Sequence, residues 1–224
     1  MKAVVWQAPG QIDLEEVPDA RIEHPGDAVV RLTMSAICGT DLHMVRGTMP
    51  GMVPGTVLGH ENVGVVEAVG DNVRAFVPGD QVVIPSTICC GTCVYCRAGS
   101  TSQCDNANPN VPDAGTSFFG GPESTGPVNG LQASFARIPF AAANLIPLPD
   151  AVTDEQAIVH LAVKMGNCPH RAIIPQLVDL VASGAADPAQ LLTQVEPIDD
   201  VVSAYRTFDT REPGWVKVAL APVA

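Results

Sequence analysis

The chain has 224 residues, with 12 Lys+Arg against 24 Asp+Glu and a formal net charge of −12. An apolar share of 46% with only 16% charged residues excludes intrinsic disorder, and the length suffices for one generous domain or two small ones with a real core. The acidic balance argues against nucleic acid, whose phosphates need a basic face, and against an anionic membrane surface. No run approaches the ~18 consecutive apolar residues of a spanning helix. Met1–Trp6 lacks an apolar core and cleavage site, so no secretory signal is read and a cytoplasmic protein is expected.

In chain order, Lys2–Trp6 and Asp27–Met34 are rich in Val and Leu and bounded by turn signals such as Pro25-Gly26, so both are predicted strands. Cys38-Gly39-Thr40-Asp41-Leu42-His43 follows, and then Gly59-His60-Glu61-x2-Gly64. A thiolate and an imidazole from separate loops, with a carboxylate beside the imidazole, are donors that hold Zn2+ with one position open, the mark of a catalytic site. Gly64–Val69 and Gln81–Ile84 are predicted strands, with Pro78-Gly79-Asp80 as the turn between them.

The chain carries seven cysteines, an odd number, and no export signal is read, so a disulfide framework is not expected. Four fall in one cluster, Cys90-x2-Cys93-x2-Cys96-x7-Cys104. Two thiolates three residues apart turn inward on a tight loop, and the distant fourth closes a tetrahedron, as a structural Zn2+ requires. An iron–sulfur centre or a loop of free thiols uses the same residue count. Cys89 has no partner at the right spacing and reads as a bystander.

Beyond about residue 170 the pattern becomes helical. Ile173–Ser183 spaces its apolar residues at helical intervals before Gly184, and Ile198–Phe208 carries Asp199 and Asp200 in its first turn with Val201, Val202, Tyr205 and Phe208 on one face. Trp215–Leu220 is a predicted closing strand. The whole reads as a mainly β fold with peripheral helices (α+β), a partly open β-barrel carrying a zinc lobe at about 89–105.

Taken together, Cys-Gly-Thr-Asp-x-His, Gly-His-Glu-x2-Gly-x-Val-x3-Gly from Gly59 to Gly70, Pro78-Gly79-Asp80-x-Val and the four-cysteine lobe resemble the zinc-dependent medium-chain alcohol dehydrogenases, in order and spacing over residues 1–150. Phe119-Gly120-Gly121-Pro122, Phe140–Asp150 and the tail from Met165 to Arg171 and from Pro213 to Val218 resemble the branch with bacterial alcohol and glutathione-independent formaldehyde dehydrogenases. That resemblance implies a GroES-like catalytic domain interrupted by a Rossmann domain for NAD(P). No Gly-x-Gly-x-x-Gly occurs in the chain, so the turn that would hold a pyrophosphate is missing. The expected organisation is therefore residues 1–159 and 163–224 as two parts of one GroES-like domain, joined at a deletion seam at 160–162, with engineered removal of the cofactor domain favoured over a natural loss.

The resemblance also implies roles. Cys38 and His60 bind the catalytic zinc, with Glu61 as third ligand or close neighbour. The family's fourth position aligns at Ala162, which cannot ligate, leaving His160 or Glu61 to substitute unless His160 is only a solvent-exposed seam residue. Cys90, Cys93, Cys96 and Cys104 bind the structural zinc. Thr40 takes the alcohol proton and His43 passes it to solvent, while Asp41 accepts backbone N–H bonds in its loop. His24 and His170 are expected at the surface. The substrate is a small alcohol or aldehyde, with oxidation of the alcohol and hydride passing to NAD(P) in the parent family. In this chain activity is expected to be absent or very weak, and the chain is expected to be a monomer. The open alternatives are a non-catalytic zinc-binding scaffold and a zinc-water hydrolase or esterase.

Overall fold

Val- and Ile-rich segments supply the strands, and a computed structural model describes residues 1–110, 116–160 and 169–222, with only the backbone of His160. The seam position Leu161–Ala162 and the segment Met165–Cys168 lie outside the described residues. β1 (Lys2–Ala8) and β2 (Gln11–Glu16) form a hairpin, β3 (Ala28–Ile37) is the longest strand, and α1 (Gly39–Val45) follows it. β4 (Thr56–Val57), β5 (Asn62–Val69), β6 (Gln81–Ile84) and β7 (Thr87–Ile88) lead into α2 (Val94–Arg97). β8 (Ser117–Phe118), β9 (Phe135–Ile138), α3 (Ala141–Asn144), β10 (Ile146–Pro147) and α4 (Asp154–His160) complete the first part. α5 (His170–Ala182), β11 (Gln194–Pro197), α6 (Val201–Asp209) and β12 (Val218–Ala221) form the second.

The strands make one seven-stranded sheet, a three-stranded sheet β2-β1-β4 and the pair β7-β8. None closes on itself, so the mainly β, partly open architecture expected from the sequence is what the chain adopts. β3 is the spine of the large sheet. One of its edges is taken by β5, and the other is shared between β9 at the start of the strand and β12 at its end. Shifts of register at Val29/Val30 and Leu32/Met34 bend β3 between these partners. The sequence pattern stops at Met34, but the strand runs on to Ile37 because neighbours on both sides pair with Ser35.

Phe119, Leu32, Val82, Ile84, Leu131 and Ile138 form one buried core on this sheet. Val4, Trp6, Leu42, Tyr205 and Phe208 form a second between the small sheet, α1 and α6. Trp6 Nε1 donates to the Met44 carbonyl at 3.0 Å, which ties α1 to β1. The helix read over Ile173–Ser183 starts earlier, at His170, and the closing strand starts later, at Val218. Trp215 is held instead in a turn, its N–H donating to the Glu212 carbonyl at 3.0 Å. Among the described residues no helix is long and apolar enough to cross a membrane.

Phe119 is the largest of the fully buried side chains and its ring spans the first core. Phe119→Ala is expected to cost about 3–5 kcal/mol in urea unfolding, the range for emptying a buried aromatic site.

Candidate metal centre

The pairing of β3 with β5 matches Met34 to Val63 and Ser35 to Asn62. Carried beyond the ladder, that register sets Cys38 opposite Gly59, one residue from His60. The same logic applies on the other edge, where Val218 faces Ile37, so Lys217 falls opposite Cys38. Three strand ends thus deliver a thiol, an imidazole and two charged side chains to one place.

Cys38 Sγ lies 3.0 Å from His60 Nε2. On the far side of the ring Nδ1 faces Asp41 Oδ1 at 3.3 Å, so the carboxylate orients the imidazole and leaves Nε2 on the sulfur side. Asp41 is fixed in turn, its Oδ2 accepting the Cys38 N–H at 2.9 Å, the backbone contact expected for it from the sequence but made from the first turn of α1 rather than from a loop. Cys38 caps α1, its sulfur accepting the Thr40 N–H at 3.3 Å. His60 is 6% exposed, and Phe118 meets its ring edge-on at 6.1 Å between centroids. Burial works against a charged imidazole, but Asp41 and Cys38 outweigh it and raise the His60 pKa well above the ordinary value. Gly59 has φ +95°, and a Cβ there would stand 2.5 Å from Gln132 Cγ and 2.7 Å from its backbone nitrogen, so glycine is required for His60 to reach the sulfur.

The ligand atoms of Cys38, Asp41 and His60 lie within 4.8 Å of one another. Glu61, expected as third ligand or close neighbour, is turned elsewhere: its Oε2 pairs with Lys217 Nζ at 2.5 Å, with 6% and 8% of the two side chains exposed. The carboxylate that the fold brings to the imidazole is Asp41 rather than Glu61. Thr40 and His43 stand one turn apart on α1, and His43 Nδ1 meets Thr48 Oγ1 at 2.8 Å in an exposed position. The His160 side chain lies outside the described residues. Among the described residues, then, two donors stand together at the centre, the Cys38 sulfur and His60 Nε2, with the Asp41 carboxylate behind the ring. That set suits a borderline-soft divalent ion such as zinc.

The four-cysteine lobe is built almost entirely from local contacts. Cys90 Sγ accepts N–H bonds from Thr92 and Cys93, each at 3.4 Å, Cys93 Sγ accepts the Cys96 N–H at 3.4 Å, and Cys104 Sγ accepts the Cys90 N–H at 3.2 Å. Burial raises the Cys90 pKa, but these donors overcome it and bring it down to about 6, which prepares a thiolate. Cys90 and Cys96 sulfurs are 4.0 Å apart and those of Cys93 and Cys104 3.9 Å. A tetrahedral zinc thiolate with Zn–S of about 2.3 Å has edges of about 3.8 Å, so the lobe fits one ion. A polynuclear iron–sulfur cluster spreads its thiolates over several irons and needs them farther apart. Cys89 is buried beside the lobe, its N–H bonded to Asn144 Oδ1 at 2.9 Å, and it belongs to neither group of ligand atoms.

One expectation is corrected. His170, read as a surface residue, is 7% exposed, with Nδ1 3.2 Å from Ser86 Oγ, because α5 begins at this residue and turns its first side chain against β7. Two residues of the centre were missed by sequence reasoning, Lys217 and Gln132. A single cation inside the apolar run Trp215–Leu220 is the signal that asks for a buried carboxylate. Breaking the Glu61–Lys217 pair strands a buried charge, so Lys217→Met is expected to lose about 3–5 kcal/mol in urea unfolding. The double change with Glu61→Gln is expected to recover most of that loss.

The family model for the alcohol dehydrogenase GroES-like domain matches residues 24–150. An uncharacterized zinc-type alcohol dehydrogenase-like protein, AdhB of Bacillus subtilis, is 40% identical over 151 residues, covering 67% of this chain and 39% of that protein. The glutathione-independent formaldehyde dehydrogenase of Pseudomonas aeruginosa is 34% identical over 235 residues, covering 96% of this chain and 57% of that protein. This chain therefore spans about two-fifths to three-fifths of the length of these relatives. In structure, the alcohol dehydrogenase TADH from Thermus sp. ATN1 superposes with a TM-score of 0.87 at 23% identity, over 100% of both chains. The chain belongs to the family of the alcohol dehydrogenase GroES-like domain, and its relatives include proteins named as zinc-type alcohol dehydrogenases.

Proposed function

We propose that this chain is the alcohol-binding part of a zinc-dependent dehydrogenase, holding one structural zinc in the four-cysteine lobe and a second zinc at Cys38 and His60. The observation that carries the reading is the 3.0 Å approach of Cys38 Sγ to His60 Nε2 with Asp41 on the opposite ring nitrogen. Zinc held there supplies Lewis-acid polarisation of an alcohol oxygen. The chain's own residues do the rest. Cys38 and His60 donate to the metal, Asp41 holds the imidazole tautomer, and Lys217 keeps Glu61 withdrawn from the pair. Thr40, in the first turn of α1 beside Cys38, takes the alcohol proton, and His43 at the exposed side of that helix hands it to solvent.

The substrate class is a small alcohol or its aldehyde, and the chain acts as a monomer. Hydride acceptance by NAD(P) belongs to a nucleotide-binding domain that this reading places at the seam at 160–162, in relatives and not in this chain. Without it, positioning of the nicotinamide is lost, a contribution that reaches ~7–11 kcal/mol of a barrier in oriented reactions. Alcohol oxidation by this chain alone is therefore negligible.

Elemental analysis of protein purified without chelator tests the reading. Two zinc ions per chain are expected, falling to one in Cys38→Ser, with no NAD(P)H formed from alcohols at high NAD(P)+. One zinc per chain, retained in Cys38→Ser and lost in Cys93→Ser, overturns the second site and leaves a zinc-binding scaffold. Zinc-dependent ester hydrolysis overturns the dehydrogenase reading in favour of a hydrolase.

A further inference from the structure

Behind the metal centre lies a buried polar chain that none of its ligands explains. Tyr205, on α6, is 3% exposed and its hydroxyl donates to Gln132 Oε1 at 2.9 Å. Gln132, fully buried, sends Nε2 to the Ala36 carbonyl at 3.1 Å. Its backbone N–H donates to the Leu58 carbonyl at 2.8 Å, and the neighbouring Leu131 N–H donates to the Gly59 carbonyl at 2.9 Å. Gln132 thus touches both arms of the centre at once. Ala36 is two residues before Cys38 on β3, and Leu58 and Gly59 immediately precede His60.

The orientation of the Gln132 amide has one solution. The Ala36 carbonyl only accepts, so the amide must present its nitrogen there, and the fully buried Oε1 is left needing a donor. Tyr205 supplies it. Burial, reinforced by the nearby charges of Asp41, Cys38 and Glu61, raises the Tyr205 pKa well above that of a free phenol, so the hydroxyl keeps its proton and remains a donor. Without it the buried Oε1 is unsatisfied, a cost relieved by rotating the amide, which then aims oxygen at oxygen across the Ala36 contact.

We propose that Tyr205 is a positioning residue for the Cys38/His60 centre: through the Gln132 amide it locks the strand that carries Cys38 to the loop that carries His60, and so sets the spacing of sulfur and nitrogen. The assignment rests on the reading of that centre as a metal site, and it concerns a residue that contacts neither ligand. Its effect is specific to one site, since the four-cysteine lobe is held by its own N–H to sulfur bonds.

The test uses the full chain and two readouts. In cobalt(II) titrations, Tyr205→Phe and Gln132→Met are each expected to weaken binding at Cys38/His60 by about 10-fold or more, as loss of outer supports does elsewhere, with the four-cysteine site unchanged. In the chelator-treated chain, alkylation of Cys38 by iodoacetamide, followed peptide by peptide, is expected to change severalfold in both variants while the rates of the lobe cysteines stay as in the parent. Wild-type cobalt affinity and wild-type Cys38 reactivity in both variants overturn the proposal, even with a lowered melting temperature, and leave Tyr205 a packing residue. If the unaltered chain takes up no cobalt at Cys38, the metal reading fails, and the alkylation rates alone decide the positioning role: a change in both variants supports it and no change overturns it.

Discussion

The registers of β5 and β12 on the two edges of β3 are the constraint on which the rest depends. Side chains in a ladder alternate between faces, so a slip of one residue would carry Cys38 to the opposite side of the sheet from its partners. Ser35 is paired on both edges, with Asn62 and with Leu220, and this double pairing leaves the strand end no freedom to slide. Below the ladder, buried polar groups repeat the same instruction. Asn62 Nδ2 donates to the Leu131 carbonyl at 2.6 Å and to Ser35 Oγ, and Ser35 Oγ donates to the same carbonyl at 2.9 Å. Hydrogen bonds of this kind contribute little net energy in the right register and cost much in the wrong one.

The two cysteine-bearing centres show opposite ways of building a site. In the lobe the sulfurs of Cys90 and Cys93 accept N–H groups two or three residues on and that of Cys104 accepts the N–H of Cys90, so spacing along the chain already contains much of the geometry. At Cys38 the geometry is set by partners far along the chain, His60 22 residues on and Lys217 far beyond it. This is why the four cysteines that meet in the lobe were already grouped in the sequence, whereas at Cys38 the sulfur and nitrogen were legible and their surroundings were not. Asp41 was legible as an acceptor of backbone N–H bonds because its Cys38 N–H contact is local, but its second contact, to the imidazole, depends on a loop that arrives from elsewhere.

The same distinction governs the fold. Gln81–Ile84 is a strand at the bounds its Val and Ile content and the preceding turn predict, since its neighbours only confirm a local preference. β3 outruns its pattern by three residues because two neighbours impose extension on Ser35, Ala36 and Ile37. Val216 and Trp215 carry the apolar text of a strand but sit outside it, where a turn after Pro213-Gly214 holds them. His170 misled because a histidine outside any motif reads as surface. Its burial is decided by Ser86 and Thr87, more than eighty residues earlier. Tyr205 was placed correctly on the apolar face of its helix, yet nothing near it in sequence announces that its hydroxyl meets Gln132.

The separation between Glu61 and Lys217 also orders events in time. The carboxylate is synthesised 156 residues ahead of the ammonium that neutralises it. Until β12 docks, β3 keeps an open edge along its last turn of ladder and Glu61 has water, not lysine, as its partner. A growing chain can therefore fold its four-cysteine lobe, whose contacts span few residues, long before it can seal the neighbouring centre, because closing a long loop precedes the contacts that reward it. Assembly of the centre is in this sense a report that β12 has arrived.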